Sequence, residues 1–362
     1  MMGGDSDHLG LFVPFSLRID LLDKMLNFEI ADDPTYQGLE IQAFDDAQHG
    51  SGDAVFLSRR EDGRNDVYRQ PGLNLDPHMY EIGSGLGAWT ECDFGIARMA
   101  IGSDGVDVEL RFTDLAGRLI EVLVSDQTPG KRRTAPFLAP MGAAITNPRS
   151  LPLVWMSQFD LLHRTGPPPS IRIDGRPATL GRLPAERLLR RHLIKVASDL
   201  CLVSVNPVDD GMTLPRWDST DAQVVIEPSG LSTIIAAAGS HTAALQFDPT
   251  FPDLESMESA SSMTGDWSLT IDTTRVVAGH WGAARLDREI NLEFTVSEGW
   301  RPRGLPPLMS TMTRVAPVFR RWPTTYHWTG AVRLDDPATL IANWERTGSD
   351  RGASYRSITR SR

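Results

Sequence analysis

The sequence predicts an all-β fold, mainly antiparallel, with two short helices and two β-rich units in tandem. Three observations predict it. Asp-Gly pairs stand between strand-like runs at Asp62-Gly63, Asp104-Gly105 and Asp174-Gly175, and Asp-Gly supplies the positive φ angles of tight hairpin turns. Apolar and polar residues alternate, as in Val106, Val108, Leu110 and Phe112 against Asp107, Glu109, Arg111 and Thr113, the period-two pattern of a half-buried strand. The first half is also echoed in the second. Gly87-Ala88-Trp89 recurs as Gly265-Asp266-Trp267, 178 positions on, and Val108–Thr113 as Ile290–Thr295, 182 positions on. Trp155, opening a run to Leu161, recurs as Trp328 before Leu334, 173 positions on. The order is kept and each offset is close to half of the 362 residues, as a duplication would leave them.

The first unit is placed at residues 1–180. In it Ile96–Ile101 turns at Asp104-Gly105 into Val106–Thr113, and Leu115-Ala116-Gly117 turns the chain again into Leu119–Val124, a β-meander. Val154–Asp160 is a further strand. A connecting helix is expected over 181–200: Pro184 suits a first helical position, and Leu188, Leu189, Leu193, Val196 and Leu200 form an apolar stripe at helical spacing. Arg187, Arg190, Arg191 and Lys195 cover much of the remainder. The second unit is placed at 201–348, with strands at Val224–Ile226, Thr233–Ala237, Ala243–Phe247 and Ser268–Ile271. There Ile290, Leu292, Phe294 and Val296 alternate with Asn291, Glu293 and Thr295. Phe251–Met263, rich in Pro, Ser, Asp and Glu, reads as an exposed loop. Asp336 is placed to cap a second short helix with Pro337 at its first position, running to about Arg346. Residues 349–362 form a polar tail.

Two β-rich units fit either a pair of barrels or one large sandwich. Gly87-x-Trp89 and Gly265-x-Trp267 resemble the Gly-x-Trp signature of lipocalin-like proteins, though both lie well inside their halves rather than near a first strand. Tandem lipocalin-like proteins, carotenoid hydratases among them, have the paired-barrel architecture that this resemblance implies. The large β-sandwiches of sugar mutarotases are the architectural alternative.

Composition narrows the function classes. The net charge of −11 argues against nucleic acid, which draws on clustered Lys and Arg; only the segment with Arg301, Arg303, Arg314, Arg320 and Arg321 is basic. Cys92 and Cys201 make neither a metal spacing nor a disulfide framework. No signal peptide and no apolar run of bilayer length is evident, so a soluble, cytoplasmic protein without a membrane partner is expected. Phosphate-binding, dinucleotide-binding, zinc-protease and nucleophile-elbow motifs are all missing from the sequence; no cofactor and no metal are expected.

Where the echoed halves differ, chemistry is sought. After Trp89, one strand face presents Glu91 and Asp93, where the other copy has Leu269 and Ile271. Two carboxyls on a cavity wall would shift apart into an acid and a base; the competing reading turns Cys92 and Phe94 inward instead. Tyr326 and His327 lie in the densest aromatic and donor run, from Arg320 to Trp328. Glu91, Asp93, Tyr326 and His327 are the candidate catalytic residues, with Trp89, Trp155, Trp281, Trp328 and Arg321 as candidate ligand contacts. His280, beside Trp281, is a further candidate. The expected function is binding of a small apolar or amphipathic ligand in a Trp-lined cavity. Any reaction would be cofactor-independent acid–base chemistry, such as hydration, isomerisation or cyclisation of a terpenoid- or polyketide-like substrate. The alternatives are a carbohydrate-binding or carbohydrate-active sandwich and a non-catalytic interaction module.

Overall fold

The structure, a computed structural model, describes residues 10–347 apart from 81, 104, 128–131, 143, 165–166, 182–191, 209–211, 316–318 and 320. Strands dominate and pair almost wholly antiparallel. The first large sheet has eight strands in the spatial order Ala135–Pro140, Leu151–Arg164, His192–Val205, Leu17–Glu29, Tyr36–Asp46, Gly50–Arg59, Asn65–Arg69 and Leu86–Glu91. Its last pair is parallel. A five-stranded sheet, Arg176–Pro177, Ser170–Ile173, Leu119–Gln127, Gly105–Thr113 and Ile96–Ile101, packs on one face of the first through Val106, Val108, Leu110, Phe112, Ile120 and Val122. The alternation read from these strands places their apolar residues in that core.

The second half forms a nine-stranded sheet. From Val224–Glu227 it runs as a sequential meander through Gly230–Ala238, His241–Phe251, Ser262–Ile271, Thr274–Leu286, Glu289–Glu298, Tyr326–Arg333 and Thr339–Arg346, where Met212–Thr213 adds the last edge. The two end strands do not pair, so the sheet is not a closed barrel. Its core is shared with the N-terminal segment and the eight-stranded sheet: Phe12, Phe15, Leu153, Trp155 and Val203 join Trp267, Phe294 and Trp344 in one cluster. Asp199 lies in the left-handed region (φ 57°) and interrupts the pleat. Ala197 and Leu200, three residues apart, therefore face the same cluster, while Cys201, Val203 and Val205 turn to the nine-stranded sheet.

Two expected helices are strands. His192–Val205 is a central strand; residues 182–191 lie outside the described ones. Leu193, Val196 and Leu200 have helical spacing, but a strand buried on both faces shows no alternation to betray it. Thr339–Arg346 is also a strand, with Leu340 and Trp344 buried and Ile341, Asn343 and Glu345 exposed. A helix that the sequence reading missed spans Pro307–Val315. The echoed segments do not occupy corresponding places. Trp89 and Trp155 belong to the eight-stranded sheet and Val108–Thr113 to the five-stranded one, whereas all three counterparts lie in the nine-stranded sheet. Among the described residues, no helix is long and apolar enough to cross a membrane.

Candidate functional site

The second face of the eight-stranded sheet carries an apolar cluster with a polar network set into it. Strand register draws one continuous row across seven strands: Leu161, Lys195, Asn27, Glu40, Phe56, Val67 and Trp89. The next row on the same face reads Phe159, Ala197, Met25, Gln42, Ala54, Arg69 and Glu91. Side chains at alternate positions share a face, so Glu40 and Gln42 stand with Phe44, while Leu39 and Ile41 turn to the sandwich core.

The polar groups are joined in a chain. Asn27 Nδ2 donates to Glu40 Oε2 at 3.0 Å, and Gln42 Nε2 donates to Glu40 Oε1 at 2.6 Å. Lys195 Nζ donates to Asn27 Oδ1 at 3.2 Å and to Glu29 Oε1 at 3.0 Å. The lysine thereby fixes the Asn27 amide, turning its NH2 rather than its carbonyl toward Glu40. Glu40 keeps part of its surface open, but its carboxyl is deeply enclosed. Burial pushes the carboxyl above its usual range, against the lowering pull of the Gln42 and Asn27 amides and the Lys195 charge.

The rest of the face is greasy and roofed. Leu73, Leu75, Met79 and Tyr80 pack on it from the segment after Arg69, and Met309 of the helix joins them, with Trp300, Leu305 and Phe319 alongside. Tyr80 lies 5.7 Å from Phe56 and 6.0 Å from Trp89 between ring centroids. Its hydroxyl is buried without a partner among the described residues.

Of the residues singled out in the sequence, Trp89 and Glu91 fall on this face. Trp89 is half-buried at its rim, and Glu91 is exposed and paired with Arg69 at 3.1 Å. Asp93 is exposed beyond the strand. Cys92 and Phe94 pack toward the sandwich core, Phe94 tilted against Phe112 at 5.1 Å, and Glu91 and Asp93 are exposed rather than paired on a cavity wall. The others lie in or on the nine-stranded sheet, or beside it. Trp155, Trp281, Trp328 and Tyr326 are buried in its core, Tyr326 donating to Met141 O at 3.4 Å. Arg321 is exposed. His327 points outward and pairs with Glu293 at 3.1 Å; its neighbour in the same outward band, His280, pairs with Asp266 at 2.6 Å. This band borders an open depression of about 320 Å³. It is not brought together with Trp89 and Glu91.

Glu40, Gln42, Asn27 and Lys195 escaped the sequence reading. A signal was present: Leu39-Glu40-Ile41-Gln42 alternates, yet its polar positions lead directly into Phe44, so the polar face is also a buried one. Among the described residues, no group of three or more His, Cys, Asp or Glu is arranged to hold a metal ion. No family model matches this chain, and neither a curated protein nor a solved structure similar to it was found.

Proposed function

We propose that the roofed face of the eight-stranded sheet binds a small apolar or amphipathic molecule and that Glu40 is its proton donor. One observation carries the reading: an enclosed carboxyl, held by two amides and raised by burial, beside Phe56 in a register row that runs on through Val67 to Trp89. A carboxyl whose direct partners are two neutral amides is a costly choice for packing alone, and a raised carboxyl in an apolar surround is a common form of general acid. The chemistry that follows is cofactor-independent protonation, as in hydration, isomerisation or cyclisation of a terpenoid- or polyketide-like substrate. A carbohydrate reading calls for exposed Trp faces beside open carboxylates. Trp281, beneath the outward depression, is buried, and the geometry favours the apolar ligand.

The test is native mass spectrometry of the protein from its own cells, with extraction of any retained compound, for wild type, Glu40→Gln and Trp89→Ala. Glu40→Gln keeps the shape of the group and removes its acid. The expected result is an apolar compound in wild type, weakened by Trp89→Ala and recovered chemically unaltered from Glu40→Gln. An empty wild-type protein that also takes up no added farnesol would overturn the reading.

A further inference from the structure

We infer that two copies of this chain pair through the edge strand Ile96–Ile101, joining their five-stranded sheets into one antiparallel sheet about a two-fold axis at Met99. Among the described residues, this strand pairs on one side alone, with Gly105–Thr113. The other edge strands of the three large sheets are blunted. Ala135–Pro140 carries Pro136, Pro140 and a shift of register, and Arg176–Pro177 and Met212–Thr213 are two residues long. Val224–Glu227 and Leu86–Glu91 each lie against a neighbour with a shift of register. Ile96–Ile101 has none of these devices: it is six residues long, lacks proline, and keeps an unbroken ladder. A long, regular edge is a template for a further strand. Its one charged residue, Arg98, is turned back across the ladder to Glu109 at 3.2 Å and Asp107 at 3.9 Å, so it does not guard the edge.

Register and charge select a second copy as the occupant. A strand meets its own copy antiparallel about a two-fold axis, and paired residues share a face, so the axis passes through one residue. Two such registers, centred on Arg98 and on Met99, pair all but one residue of the strand. The first sets Arg98 against its own counterpart, and like charges directly opposite are unfavourable. The second sets Met99 against itself, Ala97 against Ile101, and Arg98 against Ala100. Within each chain Arg98 stands opposite Glu109, and Ala100 opposite Asp107. The row across the axis therefore reads Glu109 and Arg98 of one copy, then Ala100 and Asp107 of the other. The small Ala100 leaves Arg98 between two carboxylates, and symmetry repeats the arrangement on the other side of the axis. On the inner face, Met99 and Ile101 pack against the sandwich core yet stay partly exposed; Met99 and Ala97 of the second copy cover them.

The experiment is sedimentation equilibrium of wild type, Ala100→Lys and Ala100→Glu from about 1 to about 100 µM, because a dimer's population follows protomer concentration. Wild type is expected to dimerise across that range. Ala100→Lys is expected to weaken the dimer at least about tenfold, since two symmetric lysines would each face Arg98 of the other copy. Ala100→Glu, facing the same arginine, is expected to dimerise at least as tightly as wild type. Ala100 is exposed, and a lysine there stands opposite Asp107 of its own chain, so Ala100→Lys leaves the fold intact. A wild-type protein that stays monomeric throughout overturns the inference and leaves the edge to a strand of another protein. Equal dimerisation of the lysine and glutamate variants also overturns it, because the copies would then meet elsewhere.

Discussion

The interior of the nine-stranded sheet and the roofed face of the eight-stranded sheet are both aromatic and both buried, but the second also carries a hydrogen-bonded network of a carboxyl, two amides and an ammonium. In the first, Trp267, Trp281, Trp328 and Trp344 are fully buried, and Trp267 stacks on Phe294 at 4.1 Å. Phe15, from the N-terminal segment, sits among Phe247, Phe251, Phe294 and Trp328 with centroid distances of 4.8–5.6 Å. The void beside Trp328 and Asn206 measures about 10 Å³, roughly the space of one water molecule. On the roofed face, a carboxyl, two amides and an ammonium occupy positions that aliphatic side chains would fill at lower cost. Abundant tryptophan marks packing here, and on the other face the polar groups embedded in apolar surroundings are what the proposed ligand site rests on.

The sharpest way to break that comparison is to hollow out the tryptophan-rich side. Phe15→Ala removes a ring in contact with four other aromatics and is expected to cost about 3–5 kcal/mol of stability, measured by denaturant unfolding. Binding of farnesol at conditions where the variant remains folded is expected to be unchanged. A large gain in ligand uptake by Phe15→Ala at the expense of the Glu40 face would show that the aromatic core is the binding cavity.

The same contrast explains what was legible in the sequence. Tight-turn chemistry and alternation located the strands closely: Ile96–Ile101 and Leu119–Gln127 follow the reading, and Asp174-Gly175 adopts φ 51° and 74° at its hairpin. His192–Val205 was illegible because both its faces are covered, which erases the period. Glu40 was illegible for a different reason. Its meaning comes from Asn27 and Lys195, which lie 13 residues before and 155 residues after it in the chain, and are brought beside it by strand register alone. Trp89 falls on the Glu40 face, and Glu91 with it, but the proposed acid is three strands away.

Asp53 sharpens the comparison between clamped and unclamped carboxyls. Unlike Glu40, it accepts no side-chain amide among the described residues, and burial raises it from the usual 3.8 to about 6, with Lys24 pulling it down and Asp23 pushing it up. The raised value means that the folded state binds this proton more tightly than the unfolded chain. Asp53 therefore favours the fold below about pH 4, and that contribution is lost as pH rises from about 4 to about 6. The rise corresponds to about 3 kcal/mol. Asp53→Asn is expected to be more stable than wild type by up to about 3 kcal/mol at pH 7, with the difference shrinking toward pH 4. A pH-independent difference in unfolding free energy would show that another group dominates.

A smaller effect tests how the N-terminal segment is held in the aromatic core. Asn206, at φ 47°, accepts from Ser16 N through Oδ1 at 3.1 Å, and its backbone carbonyl accepts from Trp344 Nε1 at 2.8 Å. Asn206→Ala loses the first contact and places a less tolerant residue in the left-handed region. The expected cost is about 1–2 kcal/mol, with faster hydrogen exchange at Phe15 and Ser16 and none at Glu40 or Gln42. Equal acceleration at both places would mean that the two regions open as one unit.

The smallest expected effect falls on the outward band of the nine-stranded sheet, whose pairs look most like catalytic dyads on paper. Asp266 and His280 approach to 2.6 Å, yet their side chains are 72% and 64% exposed. His327, less exposed, pairs with a Glu293 that is 61% exposed. Exposed ion pairs contribute little because water screens them and two side chains must be held still. His280→Ala and His327→Ala are each expected to change stability by less than about 1 kcal/mol and to leave the retained compound and its affinity as in wild type. The contrast with Glu40→Gln is what matters, since that variant changes one buried atom type and no shape. If His327→Ala instead abolished binding while Glu40→Gln did not, the open polar band would be the site. The enclosed carboxyl would then be a structural cost that the sheet carries for specificity of its own fold.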